Sequence, residues 1–242
     1  MTKLLLGVDP EVFLKNKFTG KFVSAADPQY NFPGTKYDPF PVRNGAIQVD
    51  GHALEFNTRP VDNEDEFVYV INDVFGQLNE LVHNTDPTLE IVFEPVATFD
   101  PDYFRFLPEA SKELGCTPDY SSVDGHELEA PTIGEQPIRT SSGHIHIGFT
   151  EDEEAFDPEV FKSRLEMAQR ITPYLLKIAR KWETPASNER RKYYGREGAF
   201  RPKHYGVELR ALDCLWLKND ETIRDVYRTT VNAFNEEFRL AA

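Results

Sequence analysis

The sequence predicts an α+β fold in which helices cover one side of a mostly antiparallel sheet. Two observations predict it: short segments alternate apolar and polar residues, and three longer segments repeat apolar residues at helical spacing. The composition is typical of a globular protein, since 40% of the 242 residues are hydrophobic and 28% are charged. At this length we expect a single domain over residues 1–242.

Alternation with a period of two predicts eight strands in chain order. They are 3–8, 12–15, 21–26, 46–49, 52–57, 89–94, 142–149 and 205–212. We expect Asp9-Pro10 to separate the first two strands, because proline cannot donate to a sheet ladder. Asp50-Gly51 lies between two alternating segments, which is typical of a hairpin turn. The strands therefore include at least one antiparallel pair.

Apolar residues recurring every three or four positions predict three long helices, over 64–83, 158–182 and 221–239. Pro173 predicts a kink or a break in the second of them. A short helix is predicted over 107–114. The remaining polar segments, rich in proline and glycine, are predicted to be loops at 27–44, 117–138 and 187–204.

The acidic composition limits the kinds of partner. Lys and Arg number 27 against 41 Asp and Glu, so the formal net charge is −14. This charge argues against binding to nucleic acid over a broad surface, but it leaves room for a local cationic pocket. No apolar stretch approaches the length of a membrane span, and no signal peptide is evident. Cys116 and Cys214 are far apart and are predicted to be free thiols. We therefore expect a cytoplasmic protein that binds neither nucleic acid nor membrane.

Ionisable side chains follow alternate positions of four predicted strands. Because residues two apart on a strand share a face, each strand presents a polar pair opposite an apolar face. The pairs are Asp9 and Glu11, Glu55 and Asn57, His144 and His146, and Glu208 and Arg210. Any one pair has a structural explanation, such as a turn or an ion pair. Together they indicate a concave polar surface that binds metal ions.

The segment 189–203 is rich in Lys and Arg although the protein is acidic. Gly195 and Gly198 would let its backbone approach a ligand closely. The guanidinium and ammonium groups suit phosphate oxygens, and the segment leads into the strand that carries Glu208 and Arg210. A phosphate-binding segment is one interpretation, and a solvated basic surface loop is the other.

Four motifs in this order resemble the phage-encoded carboxylate–amine (COOH.NH2) ligases of type 2, a family of the glutamine synthetase-like superfamily. The motifs are DPEVFL at 9–14, DGHALEFNTRP at 50–60, SGHIHIGF at 142–149 and YYGREGAFRPKHYGVELRAL at 193–212. The resemblance extends from residue 7 to about residue 213. It implies a curved antiparallel sheet whose concave face holds Mg²⁺ and ATP, with helices packed on the convex side.

The resemblance also implies an activity, the ATP-dependent joining of a carboxylate to an amine. The carboxylate would attack the γ-phosphate of ATP to give an acyl-phosphate, and the amine would displace phosphate to leave an amide. The substrates would be small molecules or peptides. A phage-encoded protein of this family would act in the host cytoplasm.

The resemblance implies a role for each of eleven residues, all but Arg139 within the matched motifs. The candidate ligands of Mg²⁺ or Mn²⁺ are Glu11, Glu55, His144, His146 and Glu208, with Asn57 as a further possibility. The candidate catalytic residues are Glu55, Arg201, Lys203 and Arg210, and the candidate ATP contacts are Arg59, Arg139, Arg201, Lys203 and Arg210. Imidazole suits Mn²⁺ or Zn²⁺ better than Mg²⁺, so one histidine is open to a role other than ligation. Asp9 and Glu55 are candidate bases for the amine. The loops at 27–44 and 187–204 are candidate lids.

Two other functions stay open at this point. His144, His146 and Glu151 have the spacing of a cupin-like metal site, and two histidines with one carboxylate suit non-haem iron. That interpretation leaves Glu208 and Arg210 without a role. The second alternative is a non-catalytic module of the same fold that binds metal or nucleotide.

Overall fold

A large antiparallel sheet forms the centre of the molecule. The computed structural model describes residues 4–112, 118–129 and 136–239. Its strands are β1 (Leu5–Asn16), β2 (Phe22–Val23), β3 (Phe40–Val42), β4 (Gly45–Asp50), β5 (Ala53–Thr58), β6 (Leu89–Val92), β7 (Val96–Thr98), β8 (Tyr120–Ser121), β9 (Ile138–Thr140), β10 (Gly143–Gly148), β11 (Ala199–Lys203) and β12 (Gly206–Leu209). Ten of them form one sheet in the order β3-β4-β5-β1-β10-β12-β11-β8, with β2 and β6 also paired to β1. The described strands form no closed barrel. The predicted α+β class with an antiparallel sheet is confirmed.

Six helices accompany the sheet in the described residues. They are α1 (Glu64–Thr85), α2 (Pro101–Arg105), α3 (Glu109–Lys112), α4 (Pro158–Ala179), α5 (Pro185–Tyr193) and α6 (Asp220–Phe234). The three long helices were predicted, and each begins at a side chain that accepts from the first turn: Asn63, Asp157 and Asn219. α4 continues through Pro173, so the possible break there was wrong. No helix of the described residues is long and apolar enough to cross a membrane.

Strand β1 is the central strand, and it is continuous through Asp9-Pro10. The predicted break there was wrong. The backbone N–H groups of Leu6 and Val8 point toward the β5 side, whereas that of Glu11 donates to Ser142 on the β10 side. An N–H group at position 10 would thus point toward the β5 side. There β5 pairs with β1 only at Glu11 and Val12. The proline therefore costs the sheet little.

The alternation of β1 separates the two faces of the sheet. Its even-numbered residues Leu6, Val8, Val12 and Leu14 belong to the main hydrophobic core. Their neighbours across the sheet in the same core are Leu54, Phe56, Ile145, Ile147, Val207 and Leu209. Helix α1 packs over β4, β5 and β6, α4 packs over β11 and β12, and α6 packs against both helices. The three long helices therefore cover this face.

A second, smaller core covers one end of the opposite face. Phe13 of β1 packs there with Ala53, Ala97, Phe99, Phe104 and Leu107. Phe104 belongs to α2, so the expectation of helices on one side holds for the long helices and not for α2. The physical reason is that Phe13 and Ala53 are apolar residues on a face that is otherwise polar, and they need cover from water. Helix α2 and strands β7 and β9 were not predicted.

The prediction of a loop at 187–204 was wrong, because this segment forms α5 and β11. The helix begins with Pro185, which suits the first helical position, and Thr184 N–H donates to Ser187 Oγ at 3.0 Å. Strand β3 likewise lies within the predicted loop 27–44, and β8 within 117–138. The predicted strand 21–26 shortens to β2. Residues 113–114 of the predicted short helix, and Cys116, lie outside the described residues. Cys214 is a free, buried thiol as predicted.

The contribution of the second core to stability can be tested by comparing two phenylalanines near the same end of β1. Phe13 is fully buried, whereas Phe18, in the following turn, is 84% exposed. We expect Phe13→Ala to lower the free energy of unfolding by about 3–5 kcal/mol, because it removes a buried aromatic side chain and leaves a cavity. Phe18→Ala is the matched control, with an expected change within about 0.5 kcal/mol. Urea unfolding measures both. Equal effects would show that the second core does not stabilise the fold.

Candidate active site

The register of four neighbouring strands aligns polar residues on the face opposite the main core. On β1 and β10, Asp9 lies opposite His144, and Gly7 lies opposite His146. On β10 and β12, His146 lies opposite Glu208, which in turn lies opposite Arg201 of β11. Residues directly opposite in an antiparallel pair share a face. The strands therefore bring together side chains that lie up to two hundred positions apart in the chain.

Asp9, His146 and Glu208 form a group that we call the mixed cluster. One ligand atom from each lies within 4.8 Å of the others. His146 Nε2 is 2.9 Å from Asp9 Oδ1. Two carboxylates and one imidazole are a donor set that suits Mn²⁺, Zn²⁺ or a similar divalent ion. The residues thus fit a metal ion, and two of them were predicted as ligands. Asp9 was predicted to lie on the metal-binding surface and to be a candidate base, but it was not among the predicted ligands.

Glu11, Asp50 and Glu55 form the carboxylate cluster. Glu11 lies opposite Glu55 across β1 and β5, and Asp50 approaches from the end of β4. Their oxygens lie within 4.8 Å of one another. An all-oxygen set of this kind suits Mg²⁺. Asp50 was interpreted as a hairpin-turn residue only, whereas in the structure it also belongs to the carboxylate cluster. The sequence did not indicate that Asp50 belongs to a cluster, because Asp-Gly is common in turns that bind no ligand.

His144 belongs to neither cluster among the described residues. His144 Nδ1 lies 3.2 Å from Arg210 Nη1 and also 3.2 Å from Asp9 Oδ1. Burial and Arg210 lower the pKa of His144 to about 4, so the imidazole is neutral near pH 7. The sequence left open which histidine ligates. The structure places His146 among the potential ligands and His144 against the arginine.

Three cationic side chains converge on Glu208. Lys203 Nζ is 2.6 Å from Glu208 Oε2, Arg210 forms a close ion pair with Oε1, and Arg201 Nη1 is 3.9 Å from the same oxygen. The Nε atoms of Arg201 and Arg210 are each 2.9 Å from Asp119 Oδ1. Sequence reasoning missed Asp119, because a single acidic residue beside a short strand has no periodic pattern around it. Three of the predicted phosphate-contacting residues, Arg201, Lys203 and Arg210, are therefore gathered at the mixed cluster.

Arg59 and Arg139, the two other predicted ATP contacts, point their guanidinium groups elsewhere. Arg59 pairs with Glu66 of α1 and donates to Asn44 Oδ1 at 2.9 Å. Arg139 is buried and donates to three backbone carbonyls at 2.7–3.0 Å. Both cations are thus engaged in structural contacts. Asn57 lies two residues beyond Glu55 on the same face of β5.

The glycines and the first arginine of the basic segment serve the protein's own packing. A Cβ on Gly195 would lie 2.2 Å from a nitrogen of the buried Arg190, and one on Gly198 would lie 2.5 Å from Ser122 Oγ. Arg190 donates to Ser142 Oγ at 2.7 Å and to the carbonyls of Ala211 and Arg210. The predicted close approach is therefore to side chains of this chain. Arg190 ties α5 to the strands that carry the site.

The surroundings of the carboxylate cluster disfavour the ionised forms of its two glutamates. Burial and Asp50 raise the pKa of Glu11 to about 8, although Arg210 and Arg190 act in the opposite direction. Burial, Asp9 and Asp50 raise the pKa of Glu55 well above its usual range. Burial would also raise the pKa of Asp9, but His146 and His144 outweigh it and hold that pKa well below the usual range. A divalent cation at the carboxylate cluster would favour the charged forms of the two glutamates.

Comparisons with known proteins add no relative from which a function could be taken. Neither a scan against protein-family models nor a search of the curated proteins finds a match to this chain. The resemblance to the carboxylate–amine ligases therefore stays a prediction from four motifs. The function has to be argued from the site itself, which contains two potential cation sites and a group of cationic side chains on one face of an open sheet.

The raised pKa of Glu11 predicts how stability depends on pH when no metal is present. The pKa of about 8 in the folded protein exceeds the ordinary value of 4.5, so folding favours the protonated form. This contribution is greatest below the ordinary pKa and is lost as the pH rises through about 8. We expect the metal-free protein in EDTA to lose stability over this range, and Glu11→Gln to lose less. Urea unfolding at several pH values measures both slopes, and parallel slopes would contradict the assignment.

Proposed function

We propose that the protein is an ATP-dependent carboxylate–amine ligase that forms an amide bond through an acyl-phosphate. One observation carries the proposal: the mixed cluster, the carboxylate cluster and three phosphate-suited cations lie together on one face of an open antiparallel sheet. This is the arrangement that ATP-dependent phosphoryl transfer needs, because the reaction depends on positioning and on neutralising charge.

Each cluster would hold divalent cations through its own donor set. Glu11, Asp50 and Glu55 would hold Mg²⁺ or Mn²⁺ through carboxylate oxygens alone, whereas Asp9, His146 and Glu208 would use an imidazole as well. Bound divalent cations would neutralise phosphate oxygens of ATP during the transfer. Asp9 and Glu11 are two residues apart on one strand, so their Cα atoms are separated by about 7 Å. One triphosphate is long enough to contact both clusters.

Arg201, Lys203 and Arg210 are the residues that would contact the phosphates. Lys203 and Arg210 already flank Glu208, so each is next to a carboxylate of the mixed cluster. Asp119 Oδ1 lies 2.9 Å from the Nε atoms of both arginines, and Nη1 of each arginine lies near Glu208. Arginine matches phosphate geometry with its planar fork, and lysine supplies a compact charge.

The reaction needs no nucleophilic side chain from the protein. An oxygen of the substrate carboxylate attacks the γ-phosphorus, and the bond to the bridging oxygen of ADP breaks. The amine nitrogen then attacks the acyl carbon, and phosphate leaves with the bonding electrons. A base must take one proton from the nitrogen. Glu55 and Asp9, the predicted candidates, belong to the carboxylate cluster and the mixed cluster respectively.

The architecture supports the same proposal. The glutamine synthetase-like fold implied by the motifs has a curved antiparallel sheet, helices on its convex side and the reaction on its concave side. In this protein the three long helices pack on one face and the polar clusters lie on the other. The acidic net charge of −14 also agrees with a small-molecule or peptide substrate better than with a nucleic acid.

The cupin-like alternative finds less support in the same observations. It needs His144, His146 and Glu151 to converge on one ion. Glu151 is exposed, it belongs to neither cluster of the described residues, and His144 bonds Arg210 instead. The sheet is open, whereas a cupin is built on a double-sheet jelly roll. The non-catalytic module differs from the ligase only in turnover, so an ADP-release assay separates them.

The test of the proposal is a comparison of two glutamates that each lie between two cations. Glu208 pairs with Lys203 and Arg210 in the site, and Glu64 pairs with Arg224 and Arg228 far from it. We expect Glu208→Gln to lower ADP formation at least about 100-fold, because it removes a metal ligand while keeping the side-chain shape. Glu64→Gln should leave ADP formation unchanged.

The assay supplies Mg·ATP, or Mn·ATP, with mixtures of amino acids, peptides and polyamines as carboxylates and amines. Glutamine is preferable to alanine at position 208, because the side chain is buried and complete removal would leave two cations without a partner. Equal rates for the wild type and Glu208→Gln would refute the site. Binding of Mg·ATP by the wild type without ADP release in any mixture would favour the non-catalytic module.

A further inference from the structure

Both nitrogens of the His146 imidazole lie close to a polar side chain. Nε2 is 2.9 Å from Asp9 Oδ1, which places this nitrogen inside the mixed cluster. Nδ1 forms a close hydrogen bond with the hydroxyl of Tyr205, whose ring centroid is 6.0 Å from that of the imidazole. His144, two residues earlier on the same face, has Arg210 at the corresponding nitrogen. The two histidines therefore differ in their partners more than in their position.

Tyr205 occupies a turn whose backbone is fixed to the strand that carries His146. The turn joins β11 to β12, and the carbonyl of Tyr205 accepts from Phe149 N–H at 3.0 Å, just beyond the end of β10. The next residue is Gly206, where a Cβ would lie only 2.0 Å from the carbonyl oxygen of Ile147. This close approach holds the turn against β10. The turn therefore places the tyrosine hydroxyl beside the imidazole.

The partner of Nδ1 matters for ligation through Nε2 of His146. A histidine that ligates through Nε2 needs its proton on Nδ1, and that proton needs an acceptor. A tyrosine hydroxyl is able to accept it, whereas the guanidinium beside His144 is not, because arginine only donates. Tyr205 therefore suits His146 as a ligand through Nε2, whereas Arg210 offers His144 no acceptor.

We propose that Tyr205 is a positioning residue that directs Nε2 of His146 toward the cation of the mixed cluster. The inference rests on the proposed function in that it assumes a divalent cation at Asp9, His146 and Glu208. It assigns a different role to each of the two histidines. His146 ligates and is oriented by Tyr205, and His144 orients Arg210 for the phosphates.

The test is the affinity of the purified protein for Mn²⁺, measured by electron paramagnetic resonance without nucleotide or substrate. We expect Tyr205→Phe to weaken binding about 10–100-fold, because loss of such a partner disorients the ligand while keeping its chemistry. The matched control is Tyr174→Phe, which removes the hydroxyl that donates to Glu237 at 2.8 Å. That control should bind as the wild type does. Wild-type affinity in Tyr205→Phe would overturn the inference.

A second measurement uses the wild type alone, so it does not depend on the folding of a variant. Nitrogen-15 NMR of the imidazoles with bound Zn²⁺, which is diamagnetic, reports which nitrogen carries the proton. The inference predicts a protonated Nδ1 and a metal-bound Nε2 in His146. The reverse assignment would overturn it. A wild type that binds no divalent cation at all would instead count against the proposed function, so the two failures are distinguishable.

Discussion

The register of β1 with its neighbours is the constraint on which the rest of the structure depends. Its even-numbered residues, among them Val8 and Val12, lie in the main core, and its odd-numbered residues Asp9 and Glu11 lie in the two clusters. Because side chains alternate with a period of two, a slip by one residue would bury both carboxylates under α1. The hydrophobic core that stabilises the fold therefore also fixes the positions of the charged groups.

Charge balance explains the arrangement of the polar face. Around Glu208 the protein supplies its own cations, and Asp119 in turn balances Arg201 and Arg210. Around Glu11 and Glu55 it does not, and burial beside other carboxylates raises the pKa of both. Ionising both glutamates without a partner would be costly, and a bound divalent cation would favour their charged forms. The negative charge of the carboxylates and phosphates would then be balanced by the metal ions and the cationic side chains.

The sequence predicted what depends on local periodicity and missed what depends on distant contacts. Alternation along β1 and β10 identified Glu11 and His146, and helical spacing identified the three long helices. Asp50 was missed because its turn motif explained it fully, and Asp119 because nothing near it in sequence marks it. The basic segment was misjudged because the partners of the buried Arg190 lie just before β10 and just after β12, which no local pattern reveals. Pairing register and charge partners across strands are properties of the assembled sheet.

The most direct test of the central claim is the unfolding temperature of the purified protein with Mg²⁺, ATP or both. A ligand at about 100 times its dissociation constant stabilises a protein by about 2.7 kcal/mol, which a thermal melt detects readily. The account predicts a rise that requires cation and nucleotide together and that disappears in Glu208→Gln. A rise with nucleotide alone, or one that Glu208→Gln retains, would contradict the claim that the clusters on this sheet face bind ATP through divalent cations.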